Sequence, residues 1–366
     1  MAIHEIEGML KETGEQYYAD PEFPPDDSSL YLDPLNPPEY AQEEPIVEWK
    51  RPQEIYMQDE PMMIVDGIEP ADVKQGILGD CWFLGSFMLL GMNPNLLQNL
   101  IVYDGIKSGF AVFQFFKNGK WQYVLVDTRI PYSQARKTPL YAHSSKAQEF
   151  WVPLMEKAYA KLHGNYEVIN GGSMSVGMVD VSGGVSEKFN LTTPEMQARI
   201  ESGEFLKELI QYYHKGYLIG CSNSQKNEEG EQQEGAGQQG VRFNHAYGLE
   251  RIEDVKEYHL TLVRIRNPWG SGAGSEWNGP FADEDEKWDE YKTLRDKLNY
   301  SFKNDGNWWM DWKDWLLNFN RVYVCKLFPS SWSQYSIPGE WKGNTAGGAY
   351  PVQADRDEEK ADAHAK

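Results

Sequence analysis

The chain has 366 residues and carries 35 basic against 56 acidic side chains, a formal net charge of −21. This acidic balance argues against nucleic-acid binding, because a protein that neutralises phosphates needs a basic face. Aromatic residues make up 13% of the sequence, which excludes a chain disordered throughout and indicates a globular protein long enough for two subdomains.

The cysteines and the N-terminus indicate the compartment. Cys81, Cys221 and Cys325 form no Cys-x-x-Cys pair, which argues against a structural zinc site. Their sparse, odd number is typical of a reducing compartment. The N-terminus lacks the basic and apolar regions of a signal peptide, and the apolar run at 81–92 is too short to span a bilayer. We therefore predict a cytoplasmic protein without a transmembrane segment.

Residues 1–49 form an acidic, proline-rich segment. They hold 13 acidic residues, seven prolines and a single lysine. A stretch of this composition buries too little apolar surface to offset the entropy of ordering it. We predict that it is extended or disordered, and either a solvated tail or a removable or docking arm.

Residues 50–183 mix helices with a few strands. An apolar run predicts a helix at 81–90, and a second helix is predicted at 148–162. Strands are predicted at 111–116 and 122–126. Between them, Lys117-Asn118-Gly119-Lys120 is typical of a hairpin turn.

Residues 184–328 contain mainly strands. These are predicted at 217–221, 245–251, 259–265 and 321–327, with a helix at 194–215. Residues 222–243 are a polar insert, predicted to be a flexible loop that is either an ordinary insertion or a gate over a cleft. A helix-rich stretch followed by a strand-rich one indicates an α+β fold with two lobes.

Cys81 is the first candidate for chemistry. It follows a Gly-Asp turn at the start of helix 81–90, where the helix dipole and unpaired N–H groups stabilise a thiolate. Gln75, six residues upstream, would place an amide donor beside the Cys81 N–H, and two such donors form an oxyanion hole. A lone cysteine is more often an inert buried residue, so a catalytic interpretation requires a base and an orienting group.

Both groups are found downstream. The sequence NHAYGL supplies the imidazole of His245, and RIRNPWG supplies the amide of Asn267. The order Cys, His, Asn is that of the papain-type triad, in which the histidine takes the thiol proton and the asparagine fixes the imidazole tautomer.

These blocks resemble a known family. QGILGDCWFL, NHAYGL and RIRNPWG, in this order, are similar to the three catalytic blocks of the calpain family of calcium-dependent cysteine proteases. The resemblance extends to VDTRIP, EFWVPLMEKAYAK, NGG and SGG, and it runs from about Pro61 to Phe328. It implies an α+β, papain-like core with a helix-rich first lobe at 50–183 and a strand-rich second lobe at 184–328. Residues 329–366 resemble the start of the β-sandwich that follows the core in many calpains, but are too short to form it.

The resemblance also implies roles for individual residues. Cys81 would be the nucleophile, His245 the general base and then the acid, Asn267 the orienting group and Gln75 the oxyanion donor. Gly172 would present its backbone to an extended substrate, because only a residue without Cβ allows close approach.

Two further positions bear on how the cleft is shaped and gated. Trp269 would wedge between the lobes and shield the catalytic asparagine. Asn244 stands where many relatives have a glycine before the histidine, which would remove one substrate contact and narrow the cleft.

Calcium is the cofactor that the resemblance implies. In the first lobe the pattern carries over onto the Val65 and Gly67 carbonyls and the Asp72 and Glu149 side chains. In the second lobe it carries over onto Glu276, Asp283, Asp305 and the Lys303 carbonyl. The last acidic position there is Asn307, so we expect weaker calcium binding at this site. Metal in each lobe would bring Cys81 and His245 together.

We therefore predict a calcium-regulated intracellular cysteine endopeptidase that performs limited proteolysis on protein substrates. Association with the cytoskeleton or a membrane surface is left open. One alternative is a catalytically weak or inactive calpain-like scaffold or binding protein. The other is a thiol acyl transferase on the same papain-like core, such as a transglutaminase.

Overall fold

The computed structural model describes residues 3–43, 47–225, 234–270, 276–298, 300, 303, 305–329, 331–333, 335, 337 and 339–342. The chain falls into two compact units, Met1–Phe328 and Pro329–Lys366. The described residues of the second unit form no helix or strand. Residues 329–366, predicted to resemble the start of a β-sandwich, lie mostly outside the described residues.

The first half of the larger unit is rich in helices. Its helices are α1 (Ile3–Thr13), α2 (Asp27–Leu30), α3 (Pro52–Ile55), α4 (Cys81–Leu90), α5 (Pro94–Leu100), α6 (Trp151–His163) and α7 (Met174–Ser182). Its strands are β1 (Val47–Lys50), β2 (Val73–Lys74), β3 (Ile101–Gly105), β4 (Phe110–Lys117), β5 (Lys120–Asp127), β6 (Ile130–Ser133), β7 (Thr138–Pro139) and β8 (His143–Ser144). They form small antiparallel sheets of order β1-β6-β7, β3-β4-β5 and β2-β8.

The second half is built on one sheet. Its strands are β9 (Val185–Asn190), β10 (Leu218–Ser222), β11 (Gly235–Ala236), β12 (Arg242–Phe243), β13 (Ala246–Val255), β14 (Leu260–Arg266), β15 (Asn307–Asp311) and β16 (Arg321–Lys326). Its helices are α8 (Pro194–Glu201), α9 (Glu204–His214), α10 (Lys287–Glu290), α11 (Lys292–Lys297) and α12 (Trp312–Asn318). Six strands pair antiparallel in the order β15-β14-β13-β10-β16-β9. The architecture is α+β, as predicted.

Most predicted elements are present within a few residues of their expected ends. Helix α4 has the predicted bounds. The hairpin turn pairs Lys117 with Lys120 across β4 and β5, and Asn118 and Gly119 both have positive φ, 52° and 76°, as a tight two-residue turn requires. The predicted helix at 194–215 is instead two helices, because Gly203 adopts a left-handed conformation between them.

The N-terminal segment differs from the prediction. Residues 3–43 are folded in the structure: α1 buries Ile6 and Leu10 against Phe110 and Val112 of β4. Downstream, the Asp20 carboxylate accepts a hydrogen bond from Lys161 at 2.7 Å. The prediction of an extended or disordered segment counted charge and proline but missed the i, i+4 spacing of apolar residues in α1.

Helix α4 lies where the two halves meet. All ten of its residues are buried. Gly248 of β13 lets it approach the sheet closely, since a Cβ there would lie 2.8 Å from Met88 and 3.0 Å from Leu89. The C-terminal half of α4 therefore packs on the start of β13. No helix among the described residues has the length and apolar character needed to cross a bilayer.

Candidate active site

Cys81 is the first residue of α4, with 8% of its surface exposed. The Asp80 carbonyl starts the helix by accepting from the backbone N–H groups of Phe83 and Leu84 at 2.8 and 3.0 Å. The loop that precedes the helix is tied to residues 169–171: Trp82 Nε1 donates to the Ile169 carbonyl at 3.0 Å, and Gly79 N donates to Asn170 Oδ1 at 2.8 Å. These bonds fix the position of the cysteine.

Two buried carboxyl groups lie behind the cysteine. Asp80 and Glu156 are 0% and 1% exposed. Burial raises the pKa of Asp80 to about 7, with a hydrogen bond to Glu156 opposing it. Burial and the charge of Asp80 raise the pKa of Glu156, which accepts from the Ala142 N–H at 3.0 Å. The pair therefore retains a proton near neutral pH, a feature that the sequence analysis missed.

His245 lies just before β13 and Asn267 just after β14. The register of these strands, in which Gly248 pairs with Arg266, brings the two side chains together. The distance from His245 Nε2 to Asn267 Oδ1 is 2.7 Å, and the same oxygen accepts from the Trp269 N–H at 3.0 Å. Because this oxygen can only accept, His245 Nε2 carries a hydrogen and Nδ1 is left to exchange a proton with another group.

His245 Nδ1 faces two acids. Ligand atoms of Cys81, Glu234 and His245 all lie within 4.8 Å of one another. Glu234 Oε2 is 3.3 Å from His245 Nδ1. Burial alone would lower the pKa of His245, but Cys81 and Glu234 together raise it to about 10. The imidazole is therefore protonated at neutral pH, the form that can protonate a leaving amine. The same three atoms could also bind a zinc ion, which would block the thiol.

Glu234 belongs to the polar insert and was not among the predicted site residues. Residues 226–233 of the predicted loop lie outside the described residues. The described end pairs β11 with β12, Gly235 opposite Phe243, and Arg242 Nε donates to Glu234 Oε1 at 2.9 Å. This short ladder holds the carboxylate next to His245. No periodicity or motif in the insert indicates that position.

Gln75 connects the two halves. Its backbone N–H donates to the Pro268 carbonyl at 3.0 Å, one residue after Asn267. Its side-chain Nε2 donates to the Leu78 carbonyl at 2.7 Å. One hydrogen of this amide is engaged and the second can donate elsewhere, so the oxyanion role of Gln75 stays a prediction.

Gly172 and Trp269 lie around the triad. A Cβ on the exposed Gly172 would lie 2.3 Å from the Trp82 ring, so a larger residue would displace the side chain next to Cys81. The Trp269 ring makes an edge contact with His245 at 5.2 Å and lies under Arg242 at 4.6 Å. Trp269 therefore covers one side of the imidazole.

Asn244 has a φ of 55°, the left-handed conformation that glycine adopts readily and asparagine tolerates. Asparagine is therefore compatible with the left-handed turn that leads into His245.

The predicted first-lobe calcium ligands lie close together. Glu149 Oε1 accepts from the Val65 N–H at 2.8 Å, and Glu149 Oε2 is buried and makes no hydrogen bond among the described residues. Burial and the charge of Asp72 raise the pKa of Glu149 to about 7. Gly67 lies in the same loop with a φ of 94°. Two carboxylates and a carbonyl form a donor set that suits calcium.

A positively charged side chain of the protein itself contacts two of these groups. Lys146 Nζ donates to the Val65 carbonyl at 2.7 Å and lies 3.4 Å from Asp72 Oδ1. Nothing in the sequence indicates this role for Lys146, because charge alone does not distinguish it from other surface lysines.

The predicted second-lobe ligands also lie near one another. Glu276 Oε1 accepts from Gly306 N at 2.5 Å, and Asp283 Oδ2 accepts from Lys303 N at 3.1 Å. Burial raises the pKa of Glu276 to about 7, and the charges of Asp283 and Asp305 add to this effect.

Asn307 directs its amide nitrogen to Asp305 Oδ1 at 3.0 Å. Asp305 and Asn307 help line a cavity of about 40 Å³. The oxygen ligands of this group suit a cation, but the group has one carboxylate fewer than the calpain family pattern has.

The family model described as "Calpain family cysteine protease" matches residues 18–326. The chain is 35% identical over 340 residues to the calpain-type cysteine protease ADL1 of Oryza sativa subsp. japonica. The aligned region covers 92% of this chain and 15% of that protein. It is 35% identical over 352 residues to Calpain-8 of Mus musculus, covering 92% of this chain and 48% of that protein.

A third relative is the Calpain-1 catalytic subunit of Gallus gallus, 34% identical over 352 residues, covering 90% of this chain and 46% of that protein. The chain therefore spans less than half the length of each of these three relatives.

Proposed function

The chain belongs to the calpain family of cysteine proteases, and on that premise we propose that it is a calcium-regulated cytoplasmic endopeptidase that performs limited proteolysis of proteins. The observation that carries the proposal is the convergence of three side chains from distant elements. Cys81 comes from the start of α4, and His245 and Asn267 come from the ends of paired strands.

The geometry supports a thiol acyl-enzyme mechanism. In the resting pair the thiol proton of Cys81 already resides on His245 Nδ1, which makes the ring an imidazolium, while Asn267 holds Nε2. The sulfur attacks the peptide carbonyl, and the imidazolium then protonates the leaving amine as the peptide C–N bond breaks. Water, deprotonated by His245, attacks the thioester carbonyl and releases the acid and the free thiol.

The charge that develops on the carbonyl oxygen needs two donors. The backbone N–H of Cys81 belongs to the first turn of α4, where helical N–H groups lack intrahelical partners. The remaining hydrogen of the Gln75 amide is the second donor in this proposal. Gln75 is anchored to Pro268 through its backbone N–H, so its position depends on the second half of the molecule.

Calcium regulation is supported by the grouping of predicted ligands and by their connection to the triad. Asp72 directly precedes β2, and Gln75 directly follows it. A change in the position of Asp72 would therefore be transmitted to Gln75 and to the Pro268 carbonyl next to Asn267. Calpains are generally regulated by calcium, and in this proposal binding shifts the population toward the assembled triad.

The first test is hydrolysis of casein across a calcium titration by the chain and by its Cys81→Ala variant. We expect the rate to rise with calcium and to fall by about 10³-fold or more in the variant, because no other group can replace the nucleophile. The Cys325→Ala variant removes a thiol of β16 outside the triad and serves as the control for loss of a cysteine.

The other outcomes of this experiment distinguish the alternative functions from one another. Hydrolysis that depends on Cys81 but not on calcium would support the assignment as a cysteine protease and contradict its regulation by calcium. A folded chain that cleaves nothing at any calcium concentration would favour the scaffold. Incorporation of an amine without peptide cleavage would favour an acyl transferase.

A further inference from the structure

Lys146 contacts two of the four predicted ligands of the first-lobe calcium site. Its Nζ donates to the Val65 carbonyl at 2.7 Å and lies 3.4 Å from Asp72 Oδ1. Both groups belong to the ligand set that the family pattern implies. The segment that carries the lysine is also tied to this site, because Ser145 N donates to the Asp72 carbonyl at 2.8 Å and Glu149 N donates to the Lys146 carbonyl at 3.0 Å.

We propose that the Lys146 ammonium is a built-in cation of the first-lobe site, and that calcium binds there only by displacing it. The inference rests on the proposed function, since it concerns how much of the calcium requirement this chain retains. When calcium is low, the Val65 and Asp72 oxygens therefore bind a side chain of the protein itself.

The chemistry of the two cations supports this assignment. An ammonium group offers three hydrogen-bond donors and a single positive charge, and two of those donors face Val65 and Asp72. Calcium takes six to eight oxygen ligands and carries two charges. Both cations require the same oxygens, so if both were bound they would lie close enough to repel each other strongly. The ammonium and the calcium ion therefore cannot both remain. The site therefore exchanges one cation for the other.

The burial of the partners distinguishes Lys146 from an ordinary surface ion pair. The Asp72 side chain is only 2% exposed, and that of Lys146 is 31% exposed. Exposed pairs contribute little, but a carboxylate held out of water needs a compensating charge. Asp72 is also fixed by the Glu69 N–H at 2.9 Å, so it stays in place whichever cation compensates it.

The consequence for regulation follows from the chain path. Asp72 leads through β2 to Gln75 and its bond to Pro268. If Lys146 holds Asp72 and Val65 in place, this part of the first half is ordered without calcium. The response to calcium then depends mainly on the Glu276, Asp283 and Asp305 group in the second half.

The test measures calcium binding directly, by isothermal titration calorimetry on the full chain with Cys81→Ala to prevent self-digestion. In that background, Lys146→Met keeps the aliphatic stem and removes the charge. We expect calcium to bind the first-lobe site about tenfold or more tightly in this variant, because no resident cation has to be displaced. Adding Asp72→Asn should abolish the gain, which would locate the site.

The matched control is Lys107→Met. Lys107 pairs with Glu60 at 2.7 Å and is 75% exposed, so its loss changes the net charge equally without touching the Val65 and Asp72 oxygens. We expect its calcium affinity to equal that of the parent.

Thermal unfolding provides a second readout. Lys146→Met should lower the Tm in the absence of calcium, because Asp72 is left uncompensated, and calcium should restore it. Lys146→Glu, which adds a carboxylate, should bind calcium more tightly still. If the methionine variant does not fold, the calcium affinity of Lys146→Glu still tests whether Lys146 competes with calcium.

Unchanged calcium affinity in both Lys146 variants would overturn the inference, as would tight binding by the parent that Asp72→Asn abolishes. Neither result depends on proteolysis. Loss of the proposed function would instead appear as absent casein cleavage, so the two failures are distinguishable.

Discussion

His245 is held from both sides by groups of different character. Asn267 Oδ1 binds Nε2 at 2.7 Å, and Glu234 Oε2 lies 3.3 Å from Nδ1. The neutral amide orients the ring, whereas the carboxylate stabilises its positive charge. Burial opposes that charge, but the pKa of His245 still reaches about 10 because Cys81 and Glu234 favour the imidazolium. Cys81 and the Glu234 carboxylate together therefore determine how far into the alkaline range His245 stays protonated.

This assignment predicts a shift in the pH profile of the Glu234→Gln variant. Without the carboxylate the pKa of His245 falls, and the alkaline limb of kcat/KM moves to lower pH by about one unit. The measurement is kcat/KM for a peptide substrate between pH 6 and 11. Glu187→Gln, which loses a pairing with Lys326 in β9 and β16, removes the same charge elsewhere and should leave the limb in place. An unshifted limb in Glu234→Gln would mean that the carboxylate does not act on His245.

Helix α6 carries a lysine that joins the core to strand β5. Lys157 is fully buried and donates to Asp127 Oδ1 at 2.6 Å and to the Arg129 carbonyl at 2.6 Å. Burial would raise the pKa of Asp127, but Lys157 and Arg129 lower it to about 2. Asp127 Oδ2 also accepts from the Asp20 N–H at 3.0 Å. The group therefore connects the helix, the strand and the N-terminal segment.

Removing one partner of this group should be costly. Lys157→Met leaves Asp127 buried with less compensation, and we expect a loss of about 3 to 5 kcal/mol in the free energy of unfolding, measured by urea denaturation. Replacing Asp127 by asparagine in the same chain should recover part of the loss. Lys313→Met, at an exposed position of α12, is the control and should change stability little.

The pH dependence of the same variant has a definite sign. The folded pKa of Asp127 is depressed, so its ionisation stabilises the parent above the unfolded value of about 3.9 and is lost as pH falls through about 2. With Lys157 replaced, the folded pKa rises and acid unfolding should begin at higher pH. Identical acid midpoints in parent and variant would contradict the ion-pair argument.

Elements with strong local signals could be predicted from the sequence. The apolar run at Cys81 gave the bounds of α4, and Asn118-Gly119 gave the hairpin. The break at Gly203 was missed, since an isolated glycine in a helical pattern is often tolerated. Helix α1 was missed because its apolar residues are few and become decisive only when β4 covers them.

At the scale of the whole molecule, the order of the motifs predicted the fold and the grouping of Cys81, His245 and Asn267. Individual partners at the site could not be predicted in the same way. The contacts of Glu234 with His245 and of Lys146 with Val65 depend on how loops from distant parts of the chain are packed. Such contacts have no periodicity and no fixed spacing, so local pattern carries no information about them.

The burial of the cysteines makes the chain suited to single-site chemical labelling. Cys221 and Cys325 are 0% exposed, and burial raises the pKa of both thiols, that of Cys325 to about 11. Cys81 lies beside a charged imidazole. A mild alkylating reagent at neutral pH should therefore add one tag per native chain, visible by intact mass spectrometry. The tagged fraction would count competent molecules in a preparation, and incorporation of two or three tags would reveal unfolded material.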